Sequence, residues 1–255
     1  METKTFEYKT IGKNNDIAIT KYNGNSKSIS IPSYIDGKRV SYIWFSAFAH
    51  CTTLESVTIP DNVSMTGVSV FYDCTNLKKV QLPNTDTGVS GSTFSSCTSL
   101  KSINIPNGYT FIGPWAFKDC TSLESVTIPN TVTEIGGAAF GKCINLKSVT
   151  IPDSVTSIDE CAFAGCTSLT SVVIPDGITS IGHATFYNCK FLKNVTIPDS
   201  VTSIGPNAFA GCKNLESITI PNNVTSIGDG DFAGCKSHTS VIVPDGVTSI
   251  SDSVF

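Results

Sequence analysis

A chain of 255 residues can form one or two ordinary domains or a single elongated array of repeats. Its hydrophobic content of 40% and charged content of 15% are typical of a folded protein and exclude a highly charged disordered chain. The formal net charge of −4 gives no electrostatic reason to expect nucleic acid or an anionic membrane as a partner. No apolar run approaches the roughly 20 residues of a membrane-spanning helix, so membrane insertion is not expected.

Residues 1–35 predict an N-terminal capping segment that is continuous with the rest of the chain. The start, METKTFEYKTIGKNND, has no apolar core of the signal-peptide kind. Either the protein is not exported by that route, or a leader has been removed. Two alternating runs, TFEYKTI and DIAITKY, predict a hairpin that covers the open edge of the first repeat. Residues 36–255 then predict one solenoid whose last unit is incomplete.

A 23-residue period governs the chain from Phe48 onward. Nine of the ten cysteines keep this interval from Cys51 to Cys235, and only Cys161 lies outside the series. Prolines, phenylalanines and leucines recur at the same interval, so the unit F-x-x-C-x-x-L-x-x-V-x-I-P-x-x-V-x-x-I-x-x-x-A occurs about ten times. A fixed period of this size with an L-x-x-V-x-I core is typical of leucine-rich repeats. The cysteines therefore indicate a structural position of the repeat, not a disulfide framework.

One unit, SVTIPNTVTEIGGAAFGKC at Ser125–Cys143, shows how the pattern predicts structure. The alternation in SVTI predicts a half-buried strand, which Pro129 ends because it lacks an N–H. A second short β-like segment follows, and Gly136 is expected to permit a sharp bend. Phe140 and Cys143 then fill a corner of the core. Stacked at about 4.8 Å, ten such rungs would form a rod or arc roughly 50 Å long.

The run I-P-x-x-V-T-x-I-G-x-x-A-F-x-x-C-x-x-L resembles the BspA-like leucine-rich repeats of bacterial and protozoan surface proteins. The lead-in also resembles that family's capping segment, with an Asp36-Gly37 turn that lengthens the first unit by five residues. The resemblance covers about residues 16–255. It implies an α/β or mainly β solenoid, a right-handed leucine-rich repeat array with a parallel concave sheet. It also implies an adhesin or interaction module that binds extracellular matrix or other host proteins.

Catalytic, cofactor and metal sites are not expected. His50, His183 and His238 belong to units far apart along the axis, and the serines and threonines fill repeat columns. The cysteines form no C-x-x-C pair, and we expect the nine periodic thiols to be reduced and buried. Cys161 is expected near the surface, either as a reactive thiol or as an incidental substitution. Asp229-Gly230-Asp231 hints at a cation loop, but two carboxylates are too few to predict one.

The strands predict two candidate surfaces. With Val and Ile pointing inward, the concave face shows an outward column that is small, polar and nearly uncharged. This column is either a tolerated solvent face or a protein-binding sheet, and its candidate ligand residues are Thr58, Gln81, Asn104, Thr127, Thr150, Thr196 and Thr219. A secondary candidate patch consists of Tyr109, Phe111 and Trp115, which occupy positions held by smaller residues elsewhere. Those aromatics either anchor an interface or repack locally against the irregular stretch DTGVSGSTF.

The predicted function is a non-enzymatic protein-binding module of the adhesin type, with an intracellular scaffold or the recognition arm of a larger protein as the alternative. The resemblance favours the cell surface or secretion, whereas unpaired thiols and the start of the chain favour a reducing compartment. The ligand is expected to be a protein. The strand predicted at Val241–Val243 is the last of its sheet, followed by Val247, Ile250 and Phe255 without a polar cap. Self-association through this C-terminal end, or continuation into a longer protein, is therefore expected.

Overall fold

The computed structural model describes residues 5–65, 67–216, 218–237, 241–242, 244–247 and 254. Within these ranges the chain consists of short strands and turns, which decides for a mainly β solenoid over an α/β one. None of the residues described belongs to a helix long and apolar enough to cross a membrane. The solenoid is expected from the repeat, because one unit cannot bury its own apolar face and must stack on neighbours.

The strands of the described ranges are short and recur in pairs along the chain. They are β1 (Phe6–Ile11), β2 (Asp16–Tyr22), β3 (Ser28–Ser30), β4 (Tyr34–Ile35), β5 (Lys38–Ile43), β6 (Ser56–Thr58), β7 (Lys79–Gln81), β8 (Gly88–Val89), β9 (Ser102–Asn104), β10 (Phe111–Ile112), β11 (Ser125–Thr127), β12 (Glu134–Ile135), β13 (Ser157–Ile158), β14 (Ser171–Val173), β15 (Ser180–Ile181), β16 (Asn194–Thr196), β17 (Ser203–Ile204), β18 (Ile218–Thr219), β19 (Ser226–Ile227) and β20 (Val241–Ile242).

Each regular unit contributes one strand to each of two parallel ladders. The first ladder contains β3-β6-β7, β9-β11, β14-β16 and β18-β20, and the second contains β8-β10-β12-β13 and β15-β17-β19. From β6 onward paired residues are 23 apart, as Ser102 opposite Ser125 and Phe111 opposite Glu134 illustrate, whereas β3 and β6 pair at an offset of 28 because the first unit is five residues longer. The 23-residue period is therefore the register of the ladders. Residues 148–150 occupy a first-ladder position without forming a strand, so that ladder is interrupted there.

The strand predicted in the sample unit is confirmed. Val126 of β11 is buried, whereas Ser125 and Thr127 on either side of it are exposed, as alternation requires. Pro129 directly follows the buried Ile128, and its carbonyl accepts a hydrogen bond from the Val132 amide at 3.1 Å. The proline thus opens a tight turn that leads into β12.

The reason given for Gly136 was wrong. Its φ is not in the left-handed region, and the bend belongs to Ala138 and Lys142, whose φ angles are +50° and +58°. Gly136 is needed for close approach instead, because a Cβ there would lie 2.7 Å from the backbone N of Pro114 in the preceding rung. The equivalent residues of the other rungs also have positive φ at both positions. The corner is therefore the same backbone turn in each rung and does not depend on glycine.

Phenylalanines form the central column of the core. From Phe71 to Phe232 successive rings are stacked with centroids 5.4–5.9 Å apart and planes within 10° of parallel. All of these rings are buried. Burying one such ring stabilises the fold by about 1.5–3 kcal/mol, and each ring is buried only because a neighbouring rung covers it. Hydrophobic stabilisation therefore depends on contacts between rungs.

The periodic cysteines form a second column, in which each thiol bonds to the rung before it. From Cys74 to Cys235 the Sγ–H donates to the carbonyl of the phenylalanine 26 residues earlier, at 3.0–3.3 Å. All ten cysteines are free thiols, and seven are buried. The expectation that nine are buried was too high. Cys51 and Cys235 are half-buried, because they lie in the outermost rungs of the column.

The N-terminal segment contains a hairpin that packs on the first unit. Strands β1 and β2 pair as an antiparallel hairpin, and β2 pairs in parallel with β5 of the first unit. Phe6 of the hairpin packs on Tyr22 and Phe48, so the hairpin covers the first ring of the phenylalanine column. Asp36 and Gly37 form the turn between β4 and β5 in left-handed conformations. At the other end β20 pairs with β18, while Val243, Ile250 and Phe255 of the predicted terminal edge lie outside the described residues.

The phenylalanine column predicts a difference between two substitutions of the same type. Phe140→Ala removes a fully buried ring from mid-stack and should lower the free energy of unfolding by about 3–5 kcal/mol. Phe191→Ala removes a ring that is 56% exposed and should lower it by less than about 1 kcal/mol. Chemical denaturation followed by circular dichroism measures both. Equal losses for the two variants would show that the column does not hold the rungs together.

The thiol column predicts the order of alkylation in the native protein. Burial raises the pKa of the Cys143 thiol well above its ordinary value, and that of Cys166 to about 12. Cys161 is half-buried, and burial and the Glu160 carboxylate raise its pKa as well. Iodoacetamide should label the three half-buried thiols first, Cys161 among them, and leave the seven buried thiols unlabelled until the protein unfolds. Peptide mass mapping over time checks this, and several native disulfides in the intact mass would contradict it.

Candidate functional site

The predicted ligand residues lie on one face of the first ladder. They point outward from successive rungs between buried neighbours, and all except the half-buried Thr58 are exposed. We call this surface the polar strip, and it consists of Thr58, Gln81, Asn104, Thr127, Thr150, Thr196 and Thr219. Thr150 lies in the interrupted segment, and Val173 of β14, 64% exposed, is an apolar residue in the same column. The structure therefore brings the predicted residues into one continuous column.

The polar strip is hollowed at its first three rows. A depression of about 440 Å³ is lined there by side chains of β6, β7 and β9 together with Lys78. Its rim includes the strip residues Thr58, Gln81 and Asn104, and its base includes Val57, Val80 and Ile103. Val57, Val80 and Ile103 alternate with the strip residues along the strands and turn their side chains toward the core, where Val57 and Ile103 are buried and Val80 is half-buried. This part of the strip can contact a ligand from more than one side.

Ion pairs between rungs border the polar strip. Lys27 and Lys78 approach the carboxylate of Glu55 to 2.9 and 2.8 Å, and hydrogen bonds from Lys78 and then Lys27 lower the Glu55 pKa to about 2. Farther along, Lys147 and Glu124 pair at 3.0 Å. These side chains are exposed and screened by solvent, so the pairs contribute little to stability. Their effect is to set the charge along the border of the strip.

The secondary patch is not a surface of three exposed aromatics. Tyr109 is fully buried in the column that most other units fill with Val or Ile, and its hydroxyl donates to the carbonyl of Pro83 at 3.0 Å. Phe111 is half-buried because its ring covers Gly88, where a Cβ would lie 2.4 Å from the ring. Local repacking, the alternative considered above, accounts for both residues, so their placement in an exposed patch was wrong.

Trp115 is the one member of the secondary patch that stands at the surface. Its side chain is 51% exposed and its φ is +57°, in a column of left-handed turn residues that also contains Cys161. A bulky residue in this conformation carries a strain of about 1–3 kcal/mol. The column was not recognised from the sequence, although it carries short residues such as Ser92 and Ala138 in other units.

A second depression, missed by the sequence reasoning, lies where the N-terminal hairpin meets the corner of the first rungs. It has a volume of about 520 Å³ and is lined by Tyr22, Phe45, His50 and Tyr72 among others. Phe45 is 57% exposed, and His50 bonds through Nδ1 to the Asp73 carboxylate at 2.9 Å. This depression forms because the hairpin docks on the first rungs, and the hairpin lies outside the repeat pattern.

In the Asp229–Asp231 segment, the Asp231 carboxylate binds backbone amides. Asp231 is fully buried, and its two carboxylate oxygens accept the amides of Ala208 at 2.9 Å and Gly228 at 2.8 Å. Its carboxylate thus joins two rungs where most units place a small residue. Within the described ranges, no group of three or more His, Cys, Asp or Glu side chains is arranged to hold a metal ion.

The sequence profile of the BspA type leucine rich repeat region matches residues 20–147 and 133–255, in six copies. The chain belongs to this family. The match includes the strand, the turn and the Phe–Cys corner described above, and it supports a repeat module for protein interaction. The resemblance seen in the sequence is confirmed. Among functionally curated proteins, no sequence matches the chain.

Solved structures of leucine-rich repeat proteins share this architecture. A leucine-rich repeat protein from Bacteroides ovatus is 28% identical with a TM-score of 0.89, over 97% of this chain and 66% of that one. The chain thus spans slightly less than two thirds of that protein. A leucine-rich repeat protein of T. pallidum is 30% identical with a TM-score of 0.58, over 84% of this chain and 90% of that one. The pneumococcal vaccine antigen PcpA, at 16% identity and a TM-score of 0.53 over 97% of this chain and 82% of that one, is similar in fold.

The environment of Asp231 predicts a dependence of stability on pH. Burial raises its pKa from 3.8 to about 6, against the opposing effect of the Ala208 and Gly228 amides. The native state therefore binds this proton more tightly than the unfolded chain does. The resulting stabilisation is present below pH 3.8 and is lost as the pH rises through about 6.

The comparison of wild type with Asp231→Asn isolates this effect from other carboxyl groups. Relative to Asp231→Asn, the wild type should lose roughly 1–3 kcal/mol of unfolding free energy as the pH rises from 4 to 7.5. Urea denaturation at a series of pH values measures it. A difference that does not change with pH would contradict the raised pKa.

Proposed function

We propose that the protein is a non-enzymatic, adhesin-type module that binds a host or matrix protein through the polar strip. The observation that carries this proposal is the continuity of the strip. Small polar side chains project at one register from the rungs between Thr58 and Thr219, interrupted at Val173, and the hollow at Thr58, Gln81 and Asn104 adds a concave contact surface. A rigid array of this kind meets a protein ligand without reorganising its backbone, which lowers the entropy cost of binding.

An intracellular scaffold, or the recognition arm of a larger protein, is the second candidate. The observation that favours it is the state of the cysteines, because all ten are free and Cys161 is only half-buried. Free thiols persist in reducing compartments. Labelling of intact cells with a membrane-impermeant biotin reagent separates the two candidates. Labelled protein supports the adhesin, and protein labelled only after lysis supports the scaffold.

Charged substitutions on the polar strip should abolish binding to a partner obtained by affinity capture and then purified. The triple variant Thr127→Glu, Thr150→Glu and Thr196→Glu places bulky charges on three exposed positions. Capture should fall at least tenfold, while the melting temperature changes by no more than a few degrees, because these side chains do not pack in the core. Surface plasmon resonance and calorimetry measure the two quantities.

The second ladder offers a matched control. Ser157→Glu, Ser180→Glu and Ser226→Glu add the same charge to outward positions of β13, β15 and β19. This control should bind as the wild type does. If the strip variant binds equally well, the ligand surface lies elsewhere, and Trp115 becomes the next position to substitute.

A further inference from the structure

The first rows of the polar strip differ in charge from the rest of the protein. Lys78 and Lys79 line the hollow, Glu55 pairs with Lys78 and Lys27, and Lys101 directly precedes β9. The chain as a whole carries a formal charge of −4. Farther along the border, Lys147 and Lys193 are each paired with a glutamate. Positive charge is therefore concentrated at the hollow and balanced elsewhere on this face.

Lys79 is the cation best placed to meet a ligand. It projects from β7 and is exposed, and its register partner on β6 is Ser56. In the part of the chain that the structure describes it makes no ion pair, in contrast to Lys78, which is held by Glu55 at 2.8 Å. The Lys79 ammonium can therefore pair with an incoming carboxylate without first breaking an internal contact.

The remaining groups of the hollow suit an extended polypeptide. The side-chain amides of Gln81 and Asn104 can each donate to and accept from a peptide backbone. Three rows span two intervals of about 4.8 Å, which corresponds to about three residues of extended chain at 3.3 Å each. None of the residues lining the hollow is aromatic, so it lacks a ring on which a sugar could stack.

We propose that this hollow binds an extended acidic peptide segment, with a carboxylate on Lys79 and backbone amides on Gln81 and Asn104. The proposal rests on the proposed function and assigns a partner class to one end of the polar strip. Charge complementarity of this kind increases the association rate and selects between partners more than it adds affinity.

Fluorescence anisotropy with three labelled peptides tests the proposal on the full chain. The peptides alternate valine with glutamate, glutamine or lysine and are otherwise identical. At about 20 mM salt the glutamate peptide should bind at least tenfold more tightly than the other two, and the preference should decline as salt is added. Equal binding of the three peptides would overturn the proposal.

Substitutions then locate the contact. Lys79→Gln should weaken binding of the glutamate peptide about threefold to fivefold, and Lys79→Glu should reverse the preference toward the lysine peptide. Lys213→Gln removes the same charge from an exposed turn position away from the strip and should change nothing. If Lys79→Gln and Lys213→Gln weaken binding equally, the attraction is one of net charge alone and the proposal is wrong.

A sulfated polysaccharide serves as the competing ligand class. If heparin binds more tightly than the glutamate peptide and with the same dependence on Lys79, the hollow is an anionic-glycan site and the peptide assignment is overturned. Failure of these tests is distinguishable from failure of the proposed function. The strip variant at Thr127, Thr150 and Thr196 would still lose a captured partner in that case, because those rows lie beyond the hollow.

Discussion

The constant 23-residue register between rungs is the constraint on which this structure depends. At that offset the backbone ladders and the side-chain columns coincide, so each residue meets its own equivalent in the next rung. Thr133 shows the consequence at one position, because both its amide and its hydroxyl donate to the carbonyl of Thr110, at 2.8 and 3.2 Å. The phenylalanine rings and cysteine thiols repeat the same arrangement inside the core. Cohesion is therefore distributed along the stack and belongs to pairs of rungs rather than to single units.

Departures from the repeat occur as pairs of residues in adjacent rungs. Phe111 covers Gly88, where a Cβ would lie 2.4 Å from the ring. Asp231 is compensated in the same way by the amide of Ala208. An exception in one rung changes the space and the hydrogen bonds available to the next, which explains why an isolated unusual residue is a poor indicator of a functional site in a solenoid.

The sequence was sufficient for the fold and for the outward face of the first ladder, because strand alternation and the period act locally. The sequence was misleading at Tyr109, because it does not show whether a tyrosine hydroxyl has a buried hydrogen-bond acceptor. Here the carbonyl of Pro83 is that acceptor, and it allows the side chain to be buried. The left-handed corner was missed because most rungs carry no glycine there. Ala138 and Lys142 adopt positive φ, and in this conformation their amides donate to the carbonyls of Glu160 and Ala164 in the next rung. The hollow beside Lys79 is lined by residues of three successive rungs, so it cannot be recognised from the sequence of a single unit.

Deletion of whole and partial units tests the central claim most directly. Removing residues 153–175 takes out one complete rung and brings the rung of Gly136 against that of Gly182, so every column remains in register. Removing residues 153–163 takes out fewer residues but leaves half a rung and displaces the columns. The account predicts that the 23-residue deletion unfolds cooperatively within a few degrees of the full chain, and that the 11-residue deletion is far less stable in calorimetry. An 11-residue deletion as stable as the 23-residue one would contradict it.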